Sequence, residues 1–388
     1  MKPFFILVFS FIFSFAIAQN EHKGIVVDSH SKEPIEFVGI YNNKDYTTSN
    51  ADGRYIFSSS LDSIIFYRIG YHKIKKTFEQ LKDTIYLEKS PYELNEVTVT
   101  NAKTLWQKVG DSIKTNYVFT PYKEKFFLRG ILKKNDTIVR IQDIQGKLQR
   151  KTLLYTKEIE LTPKDYTVEF SNMRKVGIVS DENNVYFNFP TLYGLFSSFV
   201  KLNATGEGFT LTEKPYADHK KIRYEFVSDP NQKTVKIAGY YIINTLNNAI
   251  EEVHIVSKLE NTPYTEKRKI KYRTNYYELT VLFEKNAFKN RYYMKSAKSK
   301  AIVEITNKKD SFNETYDINF ILNTTDNFGD FNVKKNISAT RDIFKLKHPY
   351  KAAFWNSQNQ LLLTTEMQDF IERMGKNNKE FKVRSNIK

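Results

Sequence analysis

Apolar and polar residues alternate with a period of two through much of the chain beyond residue 120. Ile222, Tyr224 and Phe226, for example, are separated by charged residues, and similar alternation recurs in segments between residues 166 and 322. Successive side chains of a β-strand point to opposite faces, so this pattern predicts strands with one buried and one solvated face. We therefore expect a large antiparallel β domain over residues 121–350, with a half-barrel as one form of that sheet.

A helical period replaces the alternation just before this domain. Leu105, Val109 and Ile113 recur every four residues, and charged residues occupy the opposite face. The pattern predicts an amphipathic helix within a linker over residues 101–120, with its apolar stripe docked on the sheet. The apolar segment 189–200 interrupts the alternation further along, and we expect a short helix or a covering loop there.

The C-terminal region, residues 351–388, combines a predicted helix with a basic tail. Apolar residues lie on or near one helical face over 361–374, and lysines are frequent after that point. The chain is therefore expected to be mainly β, with helices flanking the large sheet.

Short apolar runs separated by polar turns fill residues 19–100. The run from Ser63 to Ile69 is the most apolar and is typical of a central strand. Asn50-Ala-Asp-Gly53 predicts a tight turn, because glycine adopts a positive φ without a steric penalty. Several short strands at this spacing favour a β-sandwich.

Motifs in this region resemble the carboxypeptidase-regulatory-like domain, and they occur in that family's order. The resemblance implies a transthyretin-like sandwich of seven strands. Members of the family often lie at the N-terminus of exported proteins in Gram-negative bacteria, including TonB-dependent outer-membrane proteins, and they act as accessory modules without catalytic residues. The motifs are Gly24–Asp28, Glu33–Ile35, Asn50–Tyr55, Ile65–Tyr71 and Leu94–Val99.

The similarity continues with weaker motifs into the second region. Thr104–Tyr117 followed by Lys125–Arg129, and Phe354–Asn356 near the end, are similar to exported proteins that begin with this module. The role of their second region is uncharacterised, so this similarity implies an architecture rather than a chemistry.

The first eighteen residues have the pattern of a secretory signal peptide. Lys2 precedes an apolar run from Phe4 to Ala18, which ends in the small-x-small sequence Ala16-Ile17-Ala18. The run has about fifteen residues, whereas a membrane-spanning helix needs about 20. We expect cleavage after residue 18, no transmembrane helix in the remaining chain, and a location in the periplasm or at the outer membrane of a Gram-negative bacterium.

Composition narrows the classes of function. The chain has 388 residues, 40% of them hydrophobic, and a formal net charge of +16. The apolar content excludes a wholly disordered chain. Cysteine is absent, which excludes disulfides, a thiolate nucleophile, a thiolate zinc site and a lipid anchor on cysteine. Outside the cytoplasm, the positive charge indicates anionic lipids or glycans rather than nucleic acid as partners.

No motif in the sequence identifies a catalytic, cofactor or metal site. The chain has no Gly-x-Ser-x-Gly elbow, Walker loop or His-Glu-x-x-His sequence. His30 and Glu33 have a zinc-ligand spacing, but they lie in a polar loop without a convincing third ligand. We therefore predict no cofactor, no metal and no catalytic residue.

The positive charge is concentrated in one part of the chain. Residues 258–300 contain twelve Lys or Arg and four Glu. If residues 266–274 form one strand, alternate cations share a face at a spacing of about 7 Å. Such a face either stays solvated and protects the sheet from aggregation or binds an anion. The candidate anion-binding strip consists of Lys267, Lys269, Lys271 and Arg273.

These observations favour a non-enzymatic binding or scaffolding protein of the cell envelope. Its expected partner is an anionic envelope glycolipid or an outer-membrane protein. A half-barrel carrier of an apolar or lipid ligand is the alternative, and an envelope hydrolase with an unidentified site is the third interpretation. The shape and lining of the large cavities should discriminate between the three.

Overall fold

The protein was studied as a computed structural model. The predicted signal peptide and the strand predicted over 94–100 lie outside the described residues. The described residues are 20–90, 104–155, 160–177, 189–200, 208–216, 220–231, 235–259, 262–267, 270–286, 288–307, 309, 312–325, 327–357 and 361–376.

Residues 20–90 form a β-sandwich of seven strands in two sheets, as predicted. One sheet has the order β4-β1-β7 and the other has the order β3-β2-β5-β6. The alternation had not indicated β3 and β6, which are short and lie beside polar turns. The strands are β1 (Asn20–Asp28), β2 (Gly39–Tyr41), β3 (Tyr46–Thr48), β4 (Arg54–Ser59), β5 (Ser63–Tyr67), β6 (Ile74–Thr77) and β7 (Thr84–Leu87).

The two sheets of the sandwich enclose an aromatic and aliphatic core. Tyr55 of one sheet meets Phe66 of the other edge to face, with ring centroids 5.5 Å apart. Val26 and Ile40 are fully buried in the same cluster. The predicted turn is present, and Gly53 has a φ of +71°. A Cβ at that position would lie 2.5 Å from the carbonyl oxygen of Val26, so a larger residue would force the turn from the core.

The second region is an antiparallel sheet of eleven strands, which confirms the predicted β domain. The order is β10-β9-β8-β18-β17-β16-β14-β13-β12-β11, and β15 pairs with β16 beside β14. Within the described residues the sheet is open, with β10 and β11 at its edges. The strands are β8 (Tyr122–Lys134), β9 (Thr137–Arg150), β10 (Tyr166–Gly177), β11 (Phe209–Tyr216), β12 (Lys221–Ser228), β13 (Lys236–Asn244), β14 (Ile250–Lys258), β15 (Thr265–Lys267), β16 (Ile270–Asn286), β17 (Arg291–Asn307) and β18 (Asn313–Thr325).

Two helices cover one side of the sheet, which we call the inner face. Helix α1 (Leu105–Asn116) is the predicted amphipathic helix, and α2 (Leu192–Phe199) is the predicted interruption at 189–200. Trp106 of α1 stacks on Tyr224 and also contacts Tyr241. The inner face is therefore filled by the chain's own apolar side chains.

The opposite side, the outer face, carries two further helices and the sandwich. Helix α3 (Ala352–Ser357) and helix α4 (Thr365–Lys376) follow one another there. The prediction of a helix from residue 361 was wrong at its start. Residues 361 and 362 lie before the helix, and their carbonyl groups accept hydrogen bonds from Arg129 of β8. In a helix that began at residue 361, backbone N–H groups would have occupied these carbonyl groups.

Candidate functional site

The predicted basic strip does not lie on one strand. Strand β15 ends at Lys267 and β16 begins at Ile270, and these two residues face each other across a hairpin. Lys267 is therefore on the face of β16 that carries Ile270, whereas Lys271 and Arg273 are on the other face. The prediction of a single face was wrong because the alternation runs on from the end of β15 into the start of β16, although these are two separate strands that pair with each other. Lys269 lies outside the described residues.

Arg273 is also engaged within the sheet. Its Nη2 lies 2.7 Å from Oε2 of Glu304, and its guanidinium lies 4.6 Å from the ring centroid of Tyr264. The hydrogen bond that Arg273 donates to Glu304 is the main reason that the pKa of Arg273 lies above its ordinary value. Lys271 stands directly opposite Glu266. The structure therefore places Lys271 and Arg273 beside carboxylates, and it does not gather the three described residues of the strip on one face.

A cleft of about 630 Å³ lies between the sandwich and the outer face of the large sheet. We call it the intermodule cleft. Strands β2, β3 and β5 form one wall, and strands β16 and β17 with the β13–β14 turn form the other. Among the side chains that line the cleft are Tyr41, Tyr46, Tyr67, Lys221, Tyr292 and Lys295.

Tyrosines form the sandwich wall of the cleft. The rings of Tyr41 and Tyr46 are 6.4 Å apart, and Nζ of Lys295 lies 3.3 Å from the centroid of Tyr46. Burial raises the pKa of both tyrosines, and the nearby Glu284 raises it further. Both phenols therefore keep their protons and remain hydrogen-bond donors across the physiological pH range.

Two carboxylates in the cleft each have a lysine and a tyrosine as partners. Glu251 accepts from Lys221 at 2.5 Å and from the hydroxyl of Tyr292 at 3.0 Å. Nζ of Lys221 also donates a hydrogen bond to the hydroxyl oxygen of Tyr67 at 2.9 Å. Burial lowers the pKa of Lys221, but Tyr67 and Glu251 raise it more, so the net shift is upward.

Glu284 has the same kind of neighbours on the next strand. It lies 3.1 Å from Nζ of Lys295 and accepts from the hydroxyl of Tyr293 at 2.9 Å. Burial lowers the pKa of Lys295, and Glu284 offsets only part of that shift. General acid–base chemistry needs a group that is poised to exchange a proton with its substrate. These two glutamates are instead committed to lysine and tyrosine partners.

The rim of the cleft is positively charged. Lys73, Lys220 and Lys285 are exposed there, and Lys73 lies 5.2 Å from the ring centroid of Tyr67. In all, the described lining of the cleft holds six Lys or Arg and two Glu. The cleft therefore attracts an anion to walls that present rings and hydroxyl groups.

Specific contacts hold the two walls in place. Arg68 of the sandwich lies 3.2 Å from Glu252 of β14, and Lys298 of β17 lies 2.5 Å from Glu36. Asn50 donates to the carbonyl of Leu363 at 3.1 Å. The contacts connect both ends of the sandwich to the large domain, so the cleft is formed before a ligand arrives.

The sequence pattern did not indicate the residues of the intermodule cleft. Tyr41 and Tyr67 directly follow the buried residues Ile40 and Phe66, so they point away from the core of the sandwich. Aromatic residues at such outward positions could have indicated a binding surface, because the solvated face of a sheet is usually polar. Their partners, however, lie more than 150 residues away in the chain, and alternation alone does not pair them.

Comparisons with known proteins assign no family. No family model and no curated protein matches the chain. Part of it aligns with the structure "Lipid-protein interactions in lipovitellin", with 8% identity, a TM-score of 0.23, and coverage of 63% of this chain and 29% of that one. A LolA superfamily protein from Nitrosomonas europaea aligns with 7% identity, a TM-score of 0.20, and coverage of 59% and 94%. TM-scores this low assign neither fold nor function.

Membrane-spanning helices and metal-binding clusters are two further features considered for the described residues. None of the described helices has both the length and the apolar character to cross a bilayer. In the same part of the chain, His, Asp and Glu side chains nowhere gather in threes suited to a metal ion.

Proposed function

We propose that the protein is an exported, non-catalytic binding protein of a Gram-negative cell envelope, and that the intermodule cleft holds an anionic glycan. The saccharide of an envelope glycolipid is the expected source of that glycan. The signal-peptide pattern of residues 1–18 and the resemblance of the first module to exported proteins support the location. The observation that carries the proposed ligand is the tyrosine-walled, positively rimmed cleft.

The chemistry of the cleft suits an acidic sugar. Sugar rings present apolar C–H faces that pack on aromatic side chains, and their hydroxyls exchange hydrogen bonds with phenols. Acidic substituents would be attracted by Lys73, Lys220 and Lys285 at the rim. A volume of about 630 Å³ also lies within the range of about 300–1,000 Å³ that ligand pockets occupy.

The two other interpretations find less support in the same geometry. A hydrolase of glycosides needs two carboxyl groups with different protonation states on either side of a bond, whereas Glu251 and Glu284 each have a lysine and a tyrosine partner. A half-barrel carrier needs room on the inner face. There, Phe196 and Trp106 pack on the sheet, so α1 or α2 would have to move first.

The test compares an acidic with a neutral oligosaccharide by isothermal titration calorimetry. We expect the purified protein to bind a galacturonic acid hexamer and to bind maltohexaose weakly. The triple variant Lys73→Gln/Lys220→Gln/Lys285→Gln should weaken binding of the acidic hexamer about tenfold, because exposed charge pairs contribute about 0.2–1 kcal/mol each.

A matched triple variant controls for net charge. Lys75, Lys82 and Lys164 are exposed lysines outside the cleft, and their replacement by Gln should leave binding unchanged. Equal affinity for both hexamers, or equal losses in both triple variants, would contradict the proposed function.

A further inference from the structure

Two neighbouring hairpin turns at one end of the large sheet share one construction. In the β13–β14 turn, Oδ1 of Asn244 accepts from the backbone N–H of Leu246 at 2.9 Å. In the β16–β17 turn, Oδ1 of Asn286 accepts from the backbone N–H of Phe288 at 3.0 Å. Each turn thus places a large apolar residue two positions after an asparagine that ends a strand.

A second asparagine completes each turn. Asn248 and Asn290 have φ values of +57° and +53°, a left-handed conformation that asparagine tolerates better than most residues. Their backbone N–H groups donate to the carbonyls of Asn244 and Asn286 at 2.9 and 2.8 Å. Because local hydrogen bonds define both turns, the apolar side chains are held outward without help from a ligand.

Leu246 and Phe288 are the most exposed large apolar side chains in the described part of the chain, at 87% and 96%. The two turns lie at the same end of the sheet. The β13–β14 turn precedes β14, the β16–β17 turn follows β16, and β14 pairs antiparallel with β16. Nδ2 of Asn247 also donates to the hydroxyl of Tyr292 at 3.2 Å, which joins one hairpin to the next. Single exposed apolar residues are ordinary, but these two tips share the Asn cap and the left-handed Asn and lie at one end of the sheet, so we treat them as one surface.

Positive charge flanks the Phe288 tip. Lys285, Lys289 and Arg291 flank Phe288 along the chain and are exposed, and residues 244–250 and 286–291 contain no Asp or Glu. Apolar residues set among Lys and Arg are the pattern of segments that enter the interface of an anionic membrane. Two separate side chains cannot supply the roughly 1,200 Å² that a stable protein–protein interface buries, whereas a fluid bilayer accepts them singly.

We propose that the two tips dock the protein on a bilayer that contains anionic lipid. Leu246 and Phe288 enter the boundary between headgroups and acyl chains, and Lys285, Lys289 and Arg291 contact the phosphates. Leu246 and Lys285 also line the intermodule cleft, so docking brings the mouth of that cleft to the lipid headgroups. The two proposals share Leu246 and Lys285 but are tested separately, because vesicles without any sugar report on docking alone.

Co-sedimentation with vesicles tests the proposal. The purified protein should bind vesicles of phosphatidylcholine with phosphatidylglycerol more tightly than vesicles of phosphatidylcholine alone. Phe288→Ser should weaken binding at least about tenfold, because it removes the apolar side chain that enters the bilayer. The triple variant Lys285→Gln/Lys289→Gln/Arg291→Gln should lose the preference for phosphatidylglycerol and its sensitivity to salt.

The matched control is Val227→Ser, which removes an apolar side chain that is 52% exposed on β12, outside both turns; it should bind vesicles like the unmodified protein. Phe288 does not line the cleft, so Phe288→Ser should keep its affinity for the galacturonic acid hexamer. Three results would overturn the proposal: no binding of the unmodified protein to either vesicle, equal binding by Phe288→Ser, or self-association in solution that Phe288→Ser abolishes.

Discussion

At the scale of single residues, a group of buried charges connects three strands to the C-terminal segment. Arg129 and Asp143 are 1% and 0% exposed, and Nε of Arg129 lies 2.7 Å from Oδ1 of Asp143. Arg174 pairs with the same carboxylate. Burial alone would raise the pKa of Asp143, but Arg129 and Arg174 lower it more, so the group stays ionised.

We predict that Asp143→Asn lowers the free energy of unfolding by about 3–5 kcal/mol, because it leaves two buried guanidinium groups without their carboxylate. Urea denaturation measures the loss. Asp330→Asn is the matched control, since Asp330 is exposed and surface changes stay within about 0.5 kcal/mol. Similar stability in the two variants would mean that the buried pairing contributes little.

A second residue-scale prediction concerns Lys175 of β10, whose Nζ donates to the carbonyl of Phe344 at 2.8 Å. Burial, followed by the charge of Arg140, lowers the pKa of Lys175 from 10.5 to about 8. In ¹³C-lysine spectra, one side chain should titrate near pH 8, and that signal should vanish in Lys175→Gln. The prediction is wrong if every lysine titrates near its ordinary pKa.

The lowered pKa of Lys175 also makes the free energy of unfolding depend on pH. The folded state releases this proton at a lower pH than the unfolded state, so the unfolded chain binds more protons between about pH 8 and pH 10.5. This contribution to stability therefore grows as the pH rises through that window and is lost as the pH falls back through about 8.

At the scale of elements, the predictions that the structure confirms concern helices and strands that bury one continuous apolar face. The spacing of Leu105 and Val109 placed α1, and both are buried against the sheet. The prediction of the basic strip failed because alternation cannot distinguish one long strand from two strands that pair with each other, here β15 ending at Lys267 and β16 beginning at Ile270. Likewise, the apolar residues at 361–362 lie before the start of α4, although they fit a helical spacing.

Helix α4 gives the element-scale prediction. Phe370 is 2% exposed and packs in a cluster with Ile131 and Ile141 on the outer face. Phe370→Ala should destabilise the protein by about 3–5 kcal/mol through lost burial and a cavity, measured by thermal and urea unfolding. Glu372→Ala, on an exposed position of the same helix, should change stability little, and equal effects would contradict the docking of α4.

At the scale of the whole molecule, the sandwich and the large sheet are coupled by polar contacts. Glu252 is 3% exposed, and it accepts from Arg68 at 3.2 Å and from Tyr240 at 2.9 Å. The sequence indicated both modules, because each has its own hydrophobic pattern. It did not indicate the cleft between them, because the pairing of Tyr46 with Lys295 depends on how the two folded modules meet.

Arg68→Ala should weaken that coupling by about 2–5 kcal/mol, because it leaves a buried carboxylate without its cation. In urea, we expect the unfolding of the sandwich to separate from that of the sheet. Arg54→Ala removes an exposed arginine of the same module and should preserve the original transition. A single unshifted transition in Arg68→Ala would show that other contacts hold the modules together.

The hydrogen bonds of Arg129 also set an order of events during synthesis. Its guanidinium donates to the carbonyls of Leu361 and Leu362, which lie 232 and 233 residues later in the chain. A ribosome adding about 5–20 residues per second needs roughly 10 to 50 seconds to cover that interval. Until then the nascent β8 strand carries a cation whose final acceptors do not yet exist. The large sheet is therefore expected to mature only after nearly the whole polypeptide has been made, whereas the seven strands of the sandwich all lie within residues 20–87 and need no later segment to pair.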